Sequence, residues 1–155
     1  MHRHIEPESF GFLVNDVARL VRADVDRLIA AAGVGLTPGE ARALTYAARA
    51  GTVRQSVLAE RMGIEAMTLC SFIDKLEAQG LVSRTVDPTD RRAKLVHLTE
   101  AADTILARLR EVVSTAIATA SAGMSDEEWA TLQTLLKRVR VTLSGNRETD
   151  KANAA

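Results

Sequence analysis

The side chains best suited to chemistry in this sequence are the basic residues between Arg84 and Lys94. Four bases stand against two acids in this stretch, and three of the bases directly follow the run Asp87-Pro88-Thr89-Asp90. Proline pre-sets φ and aspartate hydrogen-bonds nearby backbone, so this run is typical of a tight turn. Basic groups at the tip of a turn are suited to phosphate, which makes DNA the first partner to consider.

The turn lies between two predicted strands, 81–86 and 93–98. In the sequence, this hairpin comes directly after a helix-turn-helix pattern. Ala59 is small where two helices must touch, and four residues on Gly63 can adopt the positive φ that reverses the chain. The second helix is expected over 65–79, where apolar residues repeat at i, i+3, i+4 and i+7. These residues are Leu69, Phe72, Ile73 and Leu76. A helix-turn-helix followed by a basic hairpin predicts a winged helix-turn-helix.

Three motifs follow one another in this region: LAERMGIEAMTL, DKLEAQGLVSR and DPTDRRAKLVHLTEAA. In content and separation they resemble the MarR/SlyA family of bacterial transcriptional regulators. The most specific part is the wing signature DRRAK-x-x-x-LT, which runs from Asp90 to Thr99, and a weaker resemblance extends over nearly the whole chain. The resemblance to this family implies a mostly α fold with a small β-hairpin wing. It also implies a homodimer that is formed through the N- and C-terminal helices.

The resemblance also implies roles for residues of the wing. Arg92 would reach into the minor groove, and Asp90 would orient the basic groups. A narrow minor groove concentrates negative potential, so a guanidinium at a turn tip suits it. The alternative is a solvated basic turn with a local Asp–Arg pair. The residues predicted to contact double-stranded DNA are Thr68, Ser71, Lys75, Arg84, Asp90, Arg91, Arg92 and Lys94.

The predicted outward face of the second helix is unusual for a DNA reader. It comprises Glu65, Ala66, Met67, Thr68, Cys70, Ser71 and Asp74. It lacks the Arg, Asn and Gln that make paired hydrogen bonds to base edges, and Ser71 stands where family members often have an arginine. Hydroxyls here can donate to phosphates or bases, and Ala66 and Met67 can contact thymine methyls. Specificity that is modest or depends on DNA shape is expected. A winged helix used for protein contact is the alternative.

Long amphipathic helices are predicted on both sides of this lobe. We divide the single domain into a DNA-binding lobe at about 37–98, dimerisation helices at about 8–32 and 99–143, and a flexible tail at 144–155; residues 1–7 are expected to be loose. Apolar stripes on such helices need burial, and a second copy of the chain would supply it. The alternative is a monomer with one compact helical core.

Helix starts are predicted from capping patterns, in which a Ser or Thr precedes Glu or Gln by three residues. The three predicted boxes pair Thr37 with Glu40, Thr52 with Gln55 and Ser125 with Glu128. Thr99 is the predicted cap of the helix that follows the hairpin.

The totals exclude several classes of protein. Over 155 residues, 46% hydrophobic and 26% charged composition is ordinary for a globular chain, and the net charge of zero does not favour a general nucleic-acid binder. The first ten residues lack the apolar run of a secretory signal, and no run approaches the ~20 apolar residues of a membrane span. A lone Cys70 rules out an internal disulfide. We expect a cytoplasmic protein with no membrane partner.

No catalytic motif accompanies this pattern. The sequence has no nucleophile elbow, P-loop or dinucleotide motif, so we expect no enzymatic activity and no cofactor, although a small-molecule-modifying enzyme stays open. His2, His4 and His97 are too scattered for a metal site. Cys70 has no basic sequence neighbour, which favours a surface residue over an oxidant sensor.

The resulting hypothesis is a homodimeric transcription regulator, expected to be a repressor, on a palindromic operator. By resemblance, a small phenolic or aromatic effector would bind between the dimer helices and the DNA-binding lobe. The alternative is a winged-helix adaptor that contacts proteins and does not read DNA.

Overall fold

The computed structural model describes the backbone of residues 9–153 and the side chains of residues 9–145. Residues 1–7, predicted to be loose, lie outside the described part. The elements are α1 Phe10–Ala32, α2 Pro38–Ala50, β1 Val53–Arg54, α3 Gln55–Met62, α4 Ala66–Ala78, β2 Val82–Val86, β3 Lys94–Leu98, α5 Ala102–Ser121 and α6 Asp126–Asn153. They fall into two compact units, one ending at Ala116 and one beginning at Ile117. The predicted fold class, mostly α with a small β wing, is confirmed.

The helix-turn-helix consists of α3 and α4, joined by the predicted glycine turn. Gly63 has φ 64°, in the left-handed region that glycine adopts without strain. Ala59 is 4% exposed, and its carbonyl accepts a hydrogen bond from the Ile64 amide at 3.2 Å. The small residue and the glycine together allow the two helices to pack closely.

The core of the first unit is aliphatic. Its fully buried large side chains are Leu44, Leu58, Leu69, Ile73, Leu76, Val82 and Val96. One close approach requires a glycine, because a Cβ on Gly39 would lie 2.5 Å from Cζ of Phe72. Phe72 therefore lies over the start of α2 and helps to fix α4 against that helix.

The sheet has three antiparallel strands in the order β1-β3-β2, one strand more than the predicted hairpin. In β1, Val53 pairs with Val96 and Arg54 pairs with Leu95. A two-residue strand is too short to show an alternating pattern in the sequence, so β1 can be identified only by its pairing with β3 in the folded chain. Through β1 the wing is joined to the start of α3.

Two of the three predicted capping boxes are present. The Thr37 amide donates to Glu40 Oε2 at 2.9 Å and the Glu40 amide donates to Thr37 Oγ1 at 3.3 Å. Ser125 and Glu128 form the same reciprocal pair at 2.8 and 3.2 Å. The prediction of a capping box at Thr52 was wrong. Strand β1 lies between Thr52 and the helix, and α3 begins after Arg54 with no side-chain cap.

Two helix ends also differ from the prediction. The Thr99 hydroxyl donates to the Gly80 carbonyl at 2.5 Å, and α5 begins only at Ala102. The predicted end of the last helix at Leu143 was too early, since α6 continues to Asn153. The added residues, 144–153, are mostly polar, so no apolar stripe in the sequence marks this part of the helix.

The apolar stripe of α1 is buried only at its C-terminal end. Ile29 is 3% exposed, with Val25 and Leu28 half-buried beside it. The part of the stripe that precedes these residues is exposed to solvent in a single copy of the chain. This exposed part, called the α1 stripe below, consists of Phe10, Leu13, Val17, Leu20 and Val21.

The second unit has no closed core of its own within its described side chains. None of the side chains from 117 to 145 is fully buried. Trp129, Leu132 and Val139 are half-buried, whereas Leu136 and Leu143 of the same helix are exposed.

Candidate nucleic-acid interface

The α4 helix separates an apolar inner face from an exposed outer one. Leu69, Ile73 and Leu76 are each 0% exposed, as their spacing predicted. Thr68 and Ser71, two of the predicted DNA contacts, lie exposed on the outer face near the start of the helix. The N-terminal residues of such a helix are those that reach base edges in helix-turn-helix complexes, so this end is the candidate reader.

Arg84 joins the wing to α4. Its Nε and Nη2 atoms donate to Glu77 Oε2 at 3.1 and 2.5 Å, and its Nη1 atom lies 2.7 Å from Asp74 Oδ1. The Arg84 amide donates to the other Glu77 oxygen at 3.1 Å. These hydrogen bonds lower the pKa of Glu77 and raise the pKa of Arg84. The Arg84 side chain, 24% exposed, therefore holds β2 against the helix; its predicted contact with phosphate stays a prediction.

Lys75 ties the other side of α4 to α2. Its ammonium lies 3.2 Å from Glu40 Oε1, while 58% of the lysine side chain stays exposed. Burial opposes ionisation of Glu40, but hydrogen bonds from the Thr37 amide, Lys75 and the Thr37 hydroxyl outweigh it and lower the pKa of the carboxyl. The helix is thus held from both sides by charged contacts, and Lys75 keeps an exposed surface.

Asp87 anchors the base of the wing. It is 5% exposed, accepts from Arg54 Nε at 2.5 Å, and accepts from both the amide and the hydroxyl of Thr89 at 2.8 and 2.7 Å. Arg54 also donates to the Thr89 hydroxyl at 2.9 Å. The Thr89 hydrogen bonds, with the Arg54 contact, lower the pKa of Asp87 to about 2. This cluster fixes the wing to β1.

The tip of the wing carries three positive charges that have no partner among the described residues. Asp90 Oδ1 accepts from the Arg92 amide at 3.0 Å, so this aspartate shapes the backbone of the turn and leaves the guanidinium free. Arg91, Arg92 and Lys94 are exposed, and no hydrogen bond or ion pair of their side chains occurs within residues 9–145. Three cations available to a ligand therefore lie on one short hairpin.

His97 fills the sheet surface beside this hairpin. Its Nδ1 lies 3.2 Å from the Thr52 hydroxyl and its Nε2 lies 2.7 Å from the Thr85 hydroxyl. The Thr52 hydroxyl therefore contacts His97 of β3 and does not cap a helix, as was predicted for it. Among the described residues, no group of three or more His, Cys, Asp or Glu side chains is arranged to hold a metal ion.

Cys70 is half-buried on α4, and its thiol lies 3.9 Å from Asp74 Oδ2.

In the part of the chain from 9 to 153, no helix is long and apolar enough to cross a membrane.

Two pairs of functional side chains could not be predicted from the sequence. Arg54 and Asp87 are 33 positions apart, and nothing in the local sequence of either indicates the other. The Glu77–Arg84 pair spans seven positions and crosses from a helix to a strand. Glu77 and Asp74 on the helix bind the arginine that positions the wing.

Asp87 makes the stability of the protein depend on acid pH. A carboxyl whose pKa is lower in the folded state than its ordinary value of 3.8 stabilises the fold above that value. The contribution is lost as the pH falls from about 4 towards 2. We expect Asp87→Asn to unfold at lower denaturant concentration than the parent at pH 7. The difference should shrink progressively over that acid range in urea titrations; a constant difference would contradict the charge-based anchor.

Comparison with known proteins identifies related sequences and folds. The family described as the MarR family matches residues 36–94. A Thauera aromatica protein described as a regulator for the hcr operon is 36% identical over 105 residues. That match covers 68% of this chain and 63% of the relative, so the chain spans less than two thirds of that protein's length.

Solved structures extend the likeness beyond the lobe. A MarR-family transcriptional regulator from Rhodococcus sp. RHA1 is 27% identical, with a TM-score of 0.75 over 88% of this chain and 95% of that one. CouR from Rhodococcus jostii RHA1, solved with p-coumaroyl-CoA bound, is 28% identical, with a TM-score of 0.68 over 85% and 92%. The family match falls on the helix-turn-helix and wing described above, and the structural likeness includes the terminal helices. The chain belongs to the MarR family.

Proposed function

We propose that this chain is a DNA-binding transcription regulator, in which α4 enters the major groove and the wing enters the minor groove. The observation that carries the proposal is the pairing of an exposed α4 start with unpaired Arg91 and Arg92 on a rigidly attached hairpin. The Arg84 contacts to Glu77 hold these two surfaces together. A fixed spacing between helix and wing is what simultaneous contact with two grooves needs.

Each predicted contact residue has a distinct part in this proposal. Thr68 and Ser71 donate from the helix, and Arg92 enters the minor groove, where a narrow groove attracts guanidinium groups. Arg91 and Lys94 add phosphate contacts beside it, and Lys75 adds one from α4. Asp90 shapes the turn that presents the arginines, and Arg84 positions the hairpin.

We infer that the regulator acts as a homodimer. The α1 stripe leaves Leu20 57% and Val17 56% exposed, an unusual arrangement for consecutive turns of a monomeric helix. In the described part of the second unit, Leu135, Leu136 and Leu143 are also exposed. A second copy of the chain covers both sets of side chains without a further partner. A two-fold dimer presents two α4 helices and therefore suits an inverted-repeat operator.

A small-molecule effector is the remaining part of the proposed function. CouR, which shares this fold, binds p-coumaroyl-CoA. By likeness, we infer a small aromatic or phenolic effector for this chain and repression as its mode of action. Such a ligand releases DNA only to the extent that it binds more tightly to a dimer whose α4 helices are wrongly spaced.

Selection of bound sequences from random and genomic DNA tests the proposal. We expect enrichment of an inverted repeat whose half-sites lie about one helical turn, roughly 10 base pairs, apart. Binding should weaken steeply between low and moderate salt, because phosphate contacts release counterions. No enrichment of any sequence at low salt would contradict DNA reading and would favour the protein-contact alternative.

A further inference from the structure

We propose that Met67 determines sequence specificity by packing against the 5-methyl group of a thymine in each operator half-site. This inference rests on the proposed function and adds the base that α4 reads. Met67 is 81% exposed, the largest exposed fraction among the large apolar side chains of the described residues. It is the second residue of α4, in the turn from which such helices contact bases.

The direction of Met67 follows from the buried face of the helix. At about 100° per residue, Met67, Ser71 and Asp74 fall within about 60° of one another. They point away from Leu69 and Ile73, which are both 0% exposed. Met67 therefore occupies the middle of the outer face, at the end nearest the bases.

The polar side chains around Met67 cannot supply a strong hydrogen-bond code. Ser71 and Thr68 carry only hydroxyls, which pair with any base acceptor, and neither makes the bidentate contacts of Arg, Asn or Gln. Asp74 is held by Arg84 at 2.7 Å and is drawn towards the wing. Base discrimination at the positions around Met67 therefore falls to apolar contact and to DNA shape.

The major groove offers one apolar group to such a side chain, the thymine methyl. Methionine is unbranched and polarisable, so it can adjust to a methyl without exact placement. Burial of one methyl-sized group changes an equilibrium by a factor of about four. With one thymine in each half-site, the combined effect on a dimer is on the order of tenfold.

The test replaces thymine by deoxyuridine, which removes only the methyl group. Each thymine of the selected operator is changed in both half-sites, and affinity is measured by fluorescence anisotropy at fixed salt. We expect one position to weaken binding by on the order of tenfold for the parent protein. For Met67→Ala the same change should weaken binding less than about twofold, because the methyl has lost its partner.

Two variants control for other causes. Met67→Leu keeps an apolar side chain and should retain most of the deoxyuridine penalty. Met124→Ala removes another exposed methionine, 44% exposed and outside the lobe, and should leave the penalty unchanged. Because Met67 and Met124 are both exposed and outside the core, all three variants should melt within a few degrees of the parent.

Three results would overturn the inference while leaving the proposed function intact. They are an operator with no thymine facing α4, a parent protein insensitive to deoxyuridine at every position, and a penalty of equal size in Met67→Ala. A parent protein that binds no duplex at low salt would instead overturn the proposed function, and the inference with it.

Discussion

Arg92→Ala is expected to weaken binding to the selected operator by about tenfold or more, because each copy loses one desolvated guanidinium–DNA contact. The plot of log affinity against log salt has a negative slope, and its magnitude should decrease by about one for each lost phosphate neutralisation. For a dimer the decrease is therefore about two. Arg92 is exposed and makes no side-chain hydrogen bond or ion pair within the described part of the protein, so the variant should keep the stability of the parent.

Arg138→Ala is the matched control, since it removes the same charge from an exposed position on α6, outside the lobe. Both variants should be titrated at two salt concentrations against the operator and a scrambled duplex. Equal small losses for the two arginines would show a general effect of net charge. An unchanged affinity for Arg92→Ala would remove the wing tip from DNA binding.

Leu20→Asp is expected to convert the protein to monomers and to reduce operator affinity by about a hundredfold or more, because the second half-site is no longer held at high effective concentration. Leu20 is 57% exposed within one copy, so a carboxylate there costs the monomer little. At an apolar interface between copies, by contrast, the charge loses its hydration without gaining a partner. Sedimentation equilibrium and anisotropy measure the two effects separately.

Asn15→Asp supplies the control for charge on the same helix. Asn15 is exposed and lies about 140° around α1 from Leu20, so its carboxylate stays in solvent in the proposed dimer. It should leave the mass and the operator affinity as in the parent. If Leu20→Asp sediments as the parent does, the α1 stripe is not the dimer interface.

The sequence was sufficient to predict α4 and the hairpin because both depend on local patterns. The spacing of Leu69, Ile73 and Leu76 identifies the buried face, and Gly63 marks the turn before it. Bounds within one residue of the expected 65–79 follow from these signals, since Glu65 and Gln79 are the caps. Periodicity and turn chemistry act over a few residues, and the sequence displays them directly.

The contacts that position the wing could not be predicted in this way. Arg54 meets Asp87 only because β1 pairs with β3, and β1 is two residues long. Thr52 resembled a helix cap, but tertiary pairing placed its hydroxyl on His97. Arg84 resembled a phosphate ligand by charge alone, whereas its distances to Glu77 and Asp74 indicate a bridge between strand and helix. Such interactions depend on which elements become neighbours after folding.

The stoichiometry of binding tests most directly whether two lobes act together on one duplex. Operator DNA carrying the selected inverted repeat should be titrated at concentrations well above the dissociation constant, and the mass of the complex measured by sedimentation. We expect saturation at two protomers per duplex, with a single half-site duplex bound at least about a hundredfold more weakly. Saturation at one protomer per duplex, or equal affinity for the half-site and the full repeat, would contradict the paired presentation of α4 and the wing.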